Sequence, residues 1–218
     1  EVVWWGSSLS DEVRERFARR VATAVWQSDA IGIPTVSRFL RDLRLDTEDT
    51  LVGTRGGRGL RGVLFSLEHR LEAHAKDFAE KTMTSCHLHQ DLERWNLYPA
   101  IFKEAPGVIT VSRHADMPEA LEKRFGVASQ NLVIPPRHAD IGKDSPLELR
   151  RVGWLPDVID EIAPQLRAVA KGKLVLIAAG YLGKHLVQVA RKAGAVALDV
   201  GSIADYWMGQ RTRSYLDI

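Results

Sequence analysis

The sequence predicts an α/β fold, a single domain over residues 1–218 with a mostly parallel, Rossmann-like sheet flanked by helices. Short β-branched runs alternate with longer segments whose apolar residues recur every three or four positions, which is typical of strands alternating with helices. The C-terminal part contains a complete strand–helix–strand unit, with strands at Lys173 to Ala178 and Val196 to Val200 around a helix at Gly183 to Ala193. No internal repeat or low-complexity tract interrupts this alternation, so one domain is the simplest organisation.

Composition restricts the class of protein. The 218 residues are 45% hydrophobic and 27% charged, which is typical of globular enzymes and too apolar for a disordered chain. The net charge of +2 gives no reason to expect nucleic acid or a membrane surface as a partner, and no apolar run approaches the roughly 20 residues of a membrane span. The single cysteine, Cys86, excludes an internal disulfide and indicates a reducing, cytoplasmic compartment. Nothing in the sequence specifies an oligomeric state.

The N-terminal part begins with an amphipathic helix, predicted from Ser10 to Ser28. A buried strand follows at Ala30 to Pro34. Its Gly32 and Pro34 end it in a tight turn, where backbone can approach a ligand, so both are assigned to substrate binding. Beyond it we predict a polar, glycine-rich mobile loop at 46–61 and a helix at 60–81.

Two histidines fall where a predicted strand over Met83 to His89 runs into a helix that continues through Phe102. On a strand, His87 and His89 would face the same side, and we assign both to substrate binding. Asp91 and Glu93 lie nearby and would make a metal site conceivable. We expect these two acids to form a solvated first helical turn instead, and assign no metal ligand in this chain.

Two further predicted strands end in residues suited to ligand contact. The strand at Val108 to Ser112 leads into Arg113, whose guanidinium is suited to bidentate contact with a diphosphate, although a surface arginine is the default interpretation. The strand at Leu132 to Ile134 stops at Pro135. Ser112, Arg113 and Pro135 are therefore assigned to substrate binding. Helices are predicted after these strands, at Met117 to Phe125 and Pro156 to Ala170.

The turn of the C-terminal strand–helix–strand unit is the clearest ligand-binding signal. It lacks the first glycine of the dinucleotide fingerprint but keeps the second and third, Gly180 and Gly183. Gly180 would let the backbone approach a phosphate at the start of the helix, and Lys184 adds a positive charge in the first turn. Asp199 ends the next strand about 20 residues on, where such folds place an acid that binds ribose hydroxyls. The alternative is a tight turn that binds no ligand.

Polar residues cluster after Asp199, at the end of a strand where open α/β sheets bind ligands. We assign catalytic roles to Asp199 and Asp205, each of which could contact ligand hydroxyl groups, such as those of a ribose, or act as a general base. Gly201, Ser202 and Trp207 are assigned to substrate binding. Ser202 could instead cap a short helix that contains Asp205.

Several of these segments together resemble the GT-D glycosyltransferases, a bacterial family that uses nucleotide-sugar donors in glycan assembly. The family has a glycine-x-x-glycine-lysine turn, a strand end of the type alanine-leucine-aspartate-isoleucine-glycine-serine, and an aspartate-x-tryptophan. The strongest matches to this pattern are Gly180–Lys184, Ala197–Ser202 and Asp205–Trp207. Weaker matches, in the same order along the chain, are Asp29–Pro34, the helix around His89, Val111–Arg113 and Ile134–Pro135.

The resemblance implies transfer of a sugar from a nucleoside diphosphate sugar to a glycan or glycoconjugate acceptor, as in polysaccharide biosynthesis. It also implies a divalent cation, Mn²⁺ or Mg²⁺, which the family binds through an N-terminal Asp-x-Glu motif. The Asp-x-Glu at Asp91–Glu93 lies elsewhere in the pattern, so the role is not transferred to it. Because the chain begins with Glu1 rather than methionine, we expect the metal ligands to precede residue 1; the alternative is a divergent member that lacks the motif.

Two other functions are compatible with the sequence. One is a non-catalytic module that binds a nucleotide sugar. The other is a Rossmann enzyme that uses NAD or S-adenosylmethionine. Against the second, only 18 residues follow Val200, too few for another strand–helix–strand half.

Overall fold

The structure is a computed structural model that describes residues 9–33, 72–136 and 158–212. Its first elements are α1 (Asp11–Trp26), β1 (Ala30–Ile33), α2 (Ala75–Ala79), β2 (Thr82–Ser85), α3 (Leu88–Arg94), α4 (Tyr98–Glu104) and β3 (Val108–Ser112). The rest are α5 (Met117–Phe125), β4 (Ser129–Val133), α6 (Ile159–Val169), β5 (Leu174–Ile177), α7 (Tyr181–Lys192), β6 (Val196–Asp199) and α8 (Ile203–Trp207). Pro34, the predicted loop at 46–61 and the first part of the predicted helix at 60–81 lie outside the described residues.

The chain divides into two compact units. The larger unit comprises Glu1–Gln27 and His89–Ile218, and the smaller unit comprises Ser28–Leu88. The assignment of residues 1–218 to one domain stays a prediction. No helix in the described ranges has both the length and the apolar character needed to cross a bilayer.

In the smaller unit, β1 and β2 pair in parallel, with Ala30 opposite Thr82. A Cβ on Gly32 would lie 2.8 Å from the Cα of Cys86, so only glycine permits this approach of two backbones. Packing therefore explains the glycine that the sequence assigned to a ligand. The prediction of a buried strand here is wrong, because β1 alternates exposed and half-buried residues.

The larger unit contains a four-stranded parallel sheet in the order β4-β3-β5-β6, which confirms the predicted fold class. The chain moves outward from β3 to β4 and then crosses back to β5 on the other side of β3. The connections that leave the carboxyl ends of β3 and β5 therefore run in opposite directions. In open α/β sheets, such a switch point is where ligands bind.

Helices cover both faces of this sheet. Along β5, Val175 and Ile177 pack into one apolar core, whereas Leu174 and Leu176 pack into another, as the two-residue period of a strand requires. The first core also contains residues of α6 and α7, and Phe17 of α1 packs against it. The second contains residues of α4, α5 and α8. Right-handed crossovers explain this division, because the β3–β4 and β5–β6 connections move across the sheet in opposite directions.

The region around the two histidines differs from the prediction. Strand β2 ends at Ser85 and α3 begins at Leu88, so strand alternation does not relate His87 to His89. The predicted helix through Phe102 is two helices, α3 and α4. Asn96 lies between them with a φ of 52°, a left-handed conformation that breaks the helix.

The acids of α3 are not in a solvated turn, and that expectation is wrong. Asp91 is buried, and the side chain of Glu93 is only 6% exposed. Arg124 of α5 forms an ion pair with Glu93, and the indole N–H of Trp207 donates a hydrogen bond to its Oε2 at 2.8 Å. Glu93 thus connects α3 to both α5 and α8.

Beside Glu93, four aromatic rings from α4, α5 and α8 pack together. The rings of Tyr98 and Trp207 meet edge to face with centroids 4.9 Å apart, and Phe102 and Phe125 complete the cluster. Such pairs contribute about 0.5–1.5 kcal/mol each beyond the area that they bury. Trp207 therefore belongs to the core, and the structure does not support its assignment to substrate binding.

Trp207→Phe should test this core position. The change keeps a ring in the cluster but removes the donor to the buried Glu93 carboxylate, so we expect the free energy of unfolding to fall by about 1–3 kcal/mol. Urea denaturation measures it. The control is Trp95→Phe at a residue that is 64% exposed, which should change the free energy by no more than about 0.5 kcal/mol. Equal effects of the two substitutions would contradict the assignment.

Candidate functional site

The turn between β5 and α7 brings a lysine to the end of β6. Gly180 has φ 53° and ψ −129°, a backbone conformation that is essentially restricted to glycine. Helix α7 begins immediately after it, and the Nζ of Lys184 forms an ion pair with Oδ2 of Asp199. The lysine is half-exposed and the aspartate mostly buried. The sequence predicted that these residues share one edge, and the structure places them in direct contact.

Gly183 lies directly beneath the Asp199 carboxylate. A Cβ at position 183 would be 3.1 Å from Oδ2 and 3.4 Å from Cγ of Asp199. A larger side chain would therefore have to displace the carboxylate. This close packing of α7 against the end of β6 explains why the third glycine of the fingerprint, Gly183, is present.

His89 and Asp199 meet over Gly201. This glycine has a φ of 48°, and a Cβ on it would be 3.8 Å from Nε2 of His89 and 3.9 Å from Oδ1 of Asp199. The carbonyl oxygen of His89 accepts a hydrogen bond from the Tyr98 hydroxyl at 3.1 Å. Burial and the nearby Glu93 charge raise the pKa of Tyr98, so its hydroxyl keeps the proton that it donates. The backbone of His89 is thus held by Tyr98, and its imidazole and the Asp199 carboxylate both lie close to Gly201.

The backbone amides of the turn are partly occupied. The N–H of Leu182 donates to the Ala179 carbonyl and that of Gly183 to the Gly180 carbonyl, both at 3.1 Å. The N–H of Gly183 is therefore already engaged within the turn. The side chain of Lys184 adds a positive charge at this turn.

A second group of polar residues lies at the end of β3. Ser112 is buried, and its Oγ accepts a hydrogen bond from the His114 N–H at 3.2 Å. Asn131 of β4 donates to the His114 carbonyl at 2.7 Å. Ser112 thus holds the loop backbone from inside, and its predicted role in substrate binding is not supported. The loop that it holds carries Arg113.

Asp205 is the centre of this second group. Its Oδ1 accepts hydrogen bonds from His114 Nε2 at 2.7 Å and Arg113 Nη2 at 3.1 Å, and its Oδ2 accepts from the Thr212 hydroxyl at 2.8 Å. Arg113 also donates to Gln210 at 3.2 Å. These contacts hold the guanidinium at the carboxyl end of β3.

The protonation of Asp205 follows from these contacts. Burial by itself would raise its pKa, but hydrogen bonds from His114 and Thr212 and the charge of Arg113 outweigh burial and lower it. A carboxylate with a lowered pKa is a weak base. The geometry of Asp205 therefore suits it to orienting Arg113. It makes Asp205 less suited to accepting a proton, the general-base role that the sequence had suggested as one of two.

The remaining predicted residues are dispersed. Ser202 lies at the N-cap of α8, but its side chain makes no capping hydrogen bond, so the capping alternative is not observed. Pro135 is half-buried just after Ile134, whose N–H donates to the Ser112 carbonyl. His87 belongs to the smaller unit, where its N–H donates to the Ser85 hydroxyl at 3.1 Å.

Four residues of the second group were not predicted: His114, Asn131, Gln210 and Thr212. His114 follows Arg113 at a strand end, a local signal that could have identified it. Asn131 contacts this loop only through the pairing of β3 with β4, and Thr212 only through the fold of the chain after α8. No pattern in the sequence indicates those contacts.

The described residues do not form a centre for the divalent cation that the resemblance implies. Within the three described ranges, no group of three or more His, Cys, Asp or Glu side chains is arranged to hold a metal ion. Arginines already neutralise the Asp-x-Glu of α3, Arg94 at 3.6 Å from Asp91 and Arg124 in contact with Glu93.

Comparisons with known proteins give two structural matches. No protein-family model matches the chain, and no curated protein matches it. The chain is similar to the selenomethionine-substituted structure of domain of unknown function 1792, with 17% identity and a TM-score of 0.46. It is also similar to a structure described as "The highly conserved domain of unknown function 1792 has a distinct glycosyltransferase fold", with 16% identity and a TM-score of 0.48. Each match covers 90% of this chain and 68% of the other.

Gly183→Ala should separate folding from the position of Asp199. Alanine favours a helix over glycine by about 1 kcal/mol, which offsets the crowding, so we expect the free energy of unfolding to change by less than about 1 kcal/mol. The Asp199 carboxylate should rotate away from Lys184. Urea denaturation and a crystal structure of the variant measure the two effects. Gly107→Ala is the control, because the nearest atoms to its Cβ would belong to the flexible side chain of Lys173, at 3.5 Å. An unmoved Asp199 would contradict the prediction.

Asp205→Asn should reduce stability in a pH-dependent way. The pKa of Asp205 is lowered from its ordinary 3.8, so its contribution is complete well above pH 3.8 and is lost as pH falls through the folded-state pKa. At pH 7 we expect a loss of about 1.5–3 kcal/mol, because the hydrogen bonds involve charged groups. The difference from the wild-type chain should shrink below pH 3.8.

Urea denaturation between pH 7 and pH 3 measures this difference. Asp116→Asn is the control, since Asp116 is exposed and makes no side-chain capping bond. It should change the free energy of unfolding by no more than about 0.5 kcal/mol at any pH. A difference for Asp205→Asn that stays constant down to pH 3 would show that the carboxylate charge contributes nothing.

Proposed function

We propose that this chain is a glycosyltransferase that moves a sugar from a nucleoside diphosphate sugar to a glycan or glycoconjugate acceptor. One observation carries the proposal: two cation–carboxylate pairs, Lys184–Asp199 and Arg113–Asp205, lie in the segments that follow β3, β5 and β6 at the carboxyl edge of the sheet. Strands β3 and β6 flank β5, so their ends are about 10 Å apart. Two cations at such an edge suit an extended, doubly charged ligand.

The reaction needs positive charge at the leaving group. The bond between the anomeric carbon and a diphosphate oxygen breaks, and negative charge develops on the diphosphate as it leaves. Fixed cations stabilise such a transition state because they need no reorganisation when the charge appears. Arg113 meets this requirement, since Asp205 and Gln210 hold its guanidinium before any ligand arrives.

The acceptor side needs a group that takes a proton from the attacking hydroxyl. His89 and Asp199 are suited to this task because a Cβ on Gly201 would be 3.8 Å from the imidazole and 3.9 Å from the carboxylate, so both groups border the same glycine. The lowered pKa of Asp205 makes it the weaker choice. Asp199 could alternatively bind sugar or ribose hydroxyls, as carboxylates in this position do.

A nucleotide-sugar-binding module without transferase activity is the second candidate. It is favoured by the pairing of both aspartates with cations, since neither carboxylate is poised as an uncompensated base. Release of nucleoside diphosphate from a bound nucleotide sugar, in the presence of glycan acceptors, separates the two functions. Tight binding without any release in a panel of acceptors would favour the module.

Calorimetry with a panel of ligands tests the ligand class. We expect at least one sugar conjugate of UDP, dTDP or GDP, with or without Mn²⁺, to bind more tightly than NAD or S-adenosylmethionine. The reason is that the turn at Gly180 lacks the complete dinucleotide fingerprint, whereas two cations stand at the same edge. Tighter binding of NAD or S-adenosylmethionine than of every nucleotide sugar would refute the proposal.

Lys184→Gln should weaken binding of the best nucleotide sugar by about ten- to a hundredfold, since it removes one hydrogen bond between charged groups, worth about 1.5–3 kcal/mol. Lys192→Gln is a matched control in the last turn of the same helix, far from the ligand. Calorimetry on both variants measures the affinities. If the two substitutions have equal effects, Lys184 does not contact the ligand.

A further inference from the structure

An exposed aromatic side chain stands at the beginning of α7. Tyr181 directly follows Gly180 and is 60% exposed. It is not one of the four rings that form the aromatic cluster of α4, α5 and α8, at Tyr98, Phe102, Phe125 and Trp207. Tyr181 therefore contributes little to that core, although it is placed at the edge where the ligand is proposed to bind.

The helix geometry aligns this ring with the lysine. Residues three apart are neighbours on a helix surface, so Tyr181 and Lys184 share a face of α7. Leu182 and Leu186 are buried in the core on a different face of the same helix. The Lys184 ammonium contacts Asp199 at the end of β6. The tyrosine ring thus borders the same stretch of surface as this ion pair.

The turn also determines the position from which the Tyr181 side chain extends. The φ of 53° and ψ of −129° at Gly180 set the direction in which the chain enters α7. A side chain on the first helical residue is therefore anchored to a rigid backbone, even though its ring is exposed. A rigid aromatic ring with only two side-chain torsions loses little conformational entropy when a flat group packs on it.

We propose that Tyr181 is the platform on which the base of the nucleoside diphosphate stacks, while Lys184 contacts the diphosphate. This inference rests on the proposed function, because it requires a nucleotide in the site. Stacking uses the π face that every base has, so it holds a nucleotide without selecting one base. The ring thus determines the class of ligand, and base-specific hydrogen bonds would have to come from other groups.

Substitutions at this position should change binding without changing the fold. Tyr181→Leu removes the ring but keeps an apolar side chain, and Tyr181→Phe keeps the ring. Because the side chain is largely exposed, both variants should retain the wild-type free energy of unfolding within about 0.5 kcal/mol, measured by urea denaturation. Trp95→Leu serves as a control at another exposed aromatic residue.

The closing experiment compares ligands that differ by one part. Calorimetry on the full chain and its variants uses five nucleoside diphosphates (those of uridine, thymidine, guanosine, cytidine and adenosine), inorganic pyrophosphate, and UDP-glucose. Tyr181→Leu should weaken the tightest-binding nucleoside diphosphate by about five- to a hundredfold, as expected for one stacked base. Pyrophosphate binding should not change. Tyr181→Phe and Trp95→Leu should bind like the wild-type chain.

Each other result overturns a definite claim. Equal affinity of Tyr181→Leu and the wild-type chain for the nucleoside diphosphate overturns the stacking role and leaves the proposed function intact. An equal loss for pyrophosphate overturns it as well, because the ring would then act on the diphosphate. A loss for UDP-glucose but not for UDP would place the sugar, not the base, on the ring. Failure of the wild-type chain to bind any nucleoside diphosphate overturns the proposed function itself.

Discussion

The parallel pairing of β3, β5 and β6 is the constraint on which the site of the larger unit depends. Val108 of β3 lies opposite Leu174 of β5, which in turn lies opposite Val196 of β6, so the three strands run in register. Their carboxyl ends therefore share one edge, and each is followed by a turn that carries polar residues. Because β3 and β5 are buried on both faces, slipping their register by one residue would exchange the two apolar cores. The burial that stabilises the sheet thus also fixes the functional edge.

Charge compensation is the second organising feature of that edge. Asp199 is paired with Lys184 and Asp205 with Arg113, while the more deeply buried Glu93 is paired with Arg124. Partly buried carboxylates are costly unless a cation or hydrogen-bond donors accompany them. An anionic ligand that approaches Lys184 must share or replace an existing carboxylate contact.

Glu93 connects the core to the site. Its carboxylate holds the indole of Trp207 on α8, two residues from Asp205, and the same helix α3 begins next to His89. The aromatic cluster around Trp207 keeps α8 against α4 and α5. This packing determines the positions of Asp205 and Arg113. The polar residues at the edge of the sheet are thus held in place by core contacts of α8.

The sequence by itself determined the fold class and the approximate bounds of most described elements in the larger unit. Local signals suffice there: the β-branched run of β3, the apolar repeat of α5 and the glycine-lysine turn before α7 each specify their own structure. The edge location of Lys184 and Asp199 also follows from sequence, because strand ends in a parallel unit point the same way.

Only the tertiary structure decided which side chains meet. Trp207 and Ser112 were assigned to a ligand, yet both are buried, because their neighbours lie far along the chain. Asp205 was treated as a potential base, whereas contacts from His114 and Thr212 lower its pKa. Such contacts join strands and helices that are separated by tens of residues, and the spacing of apolar residues in the sequence does not indicate them. Local pattern specifies elements because their hydrogen bonds are local, while the protonation and partners of a site depend on packing between elements.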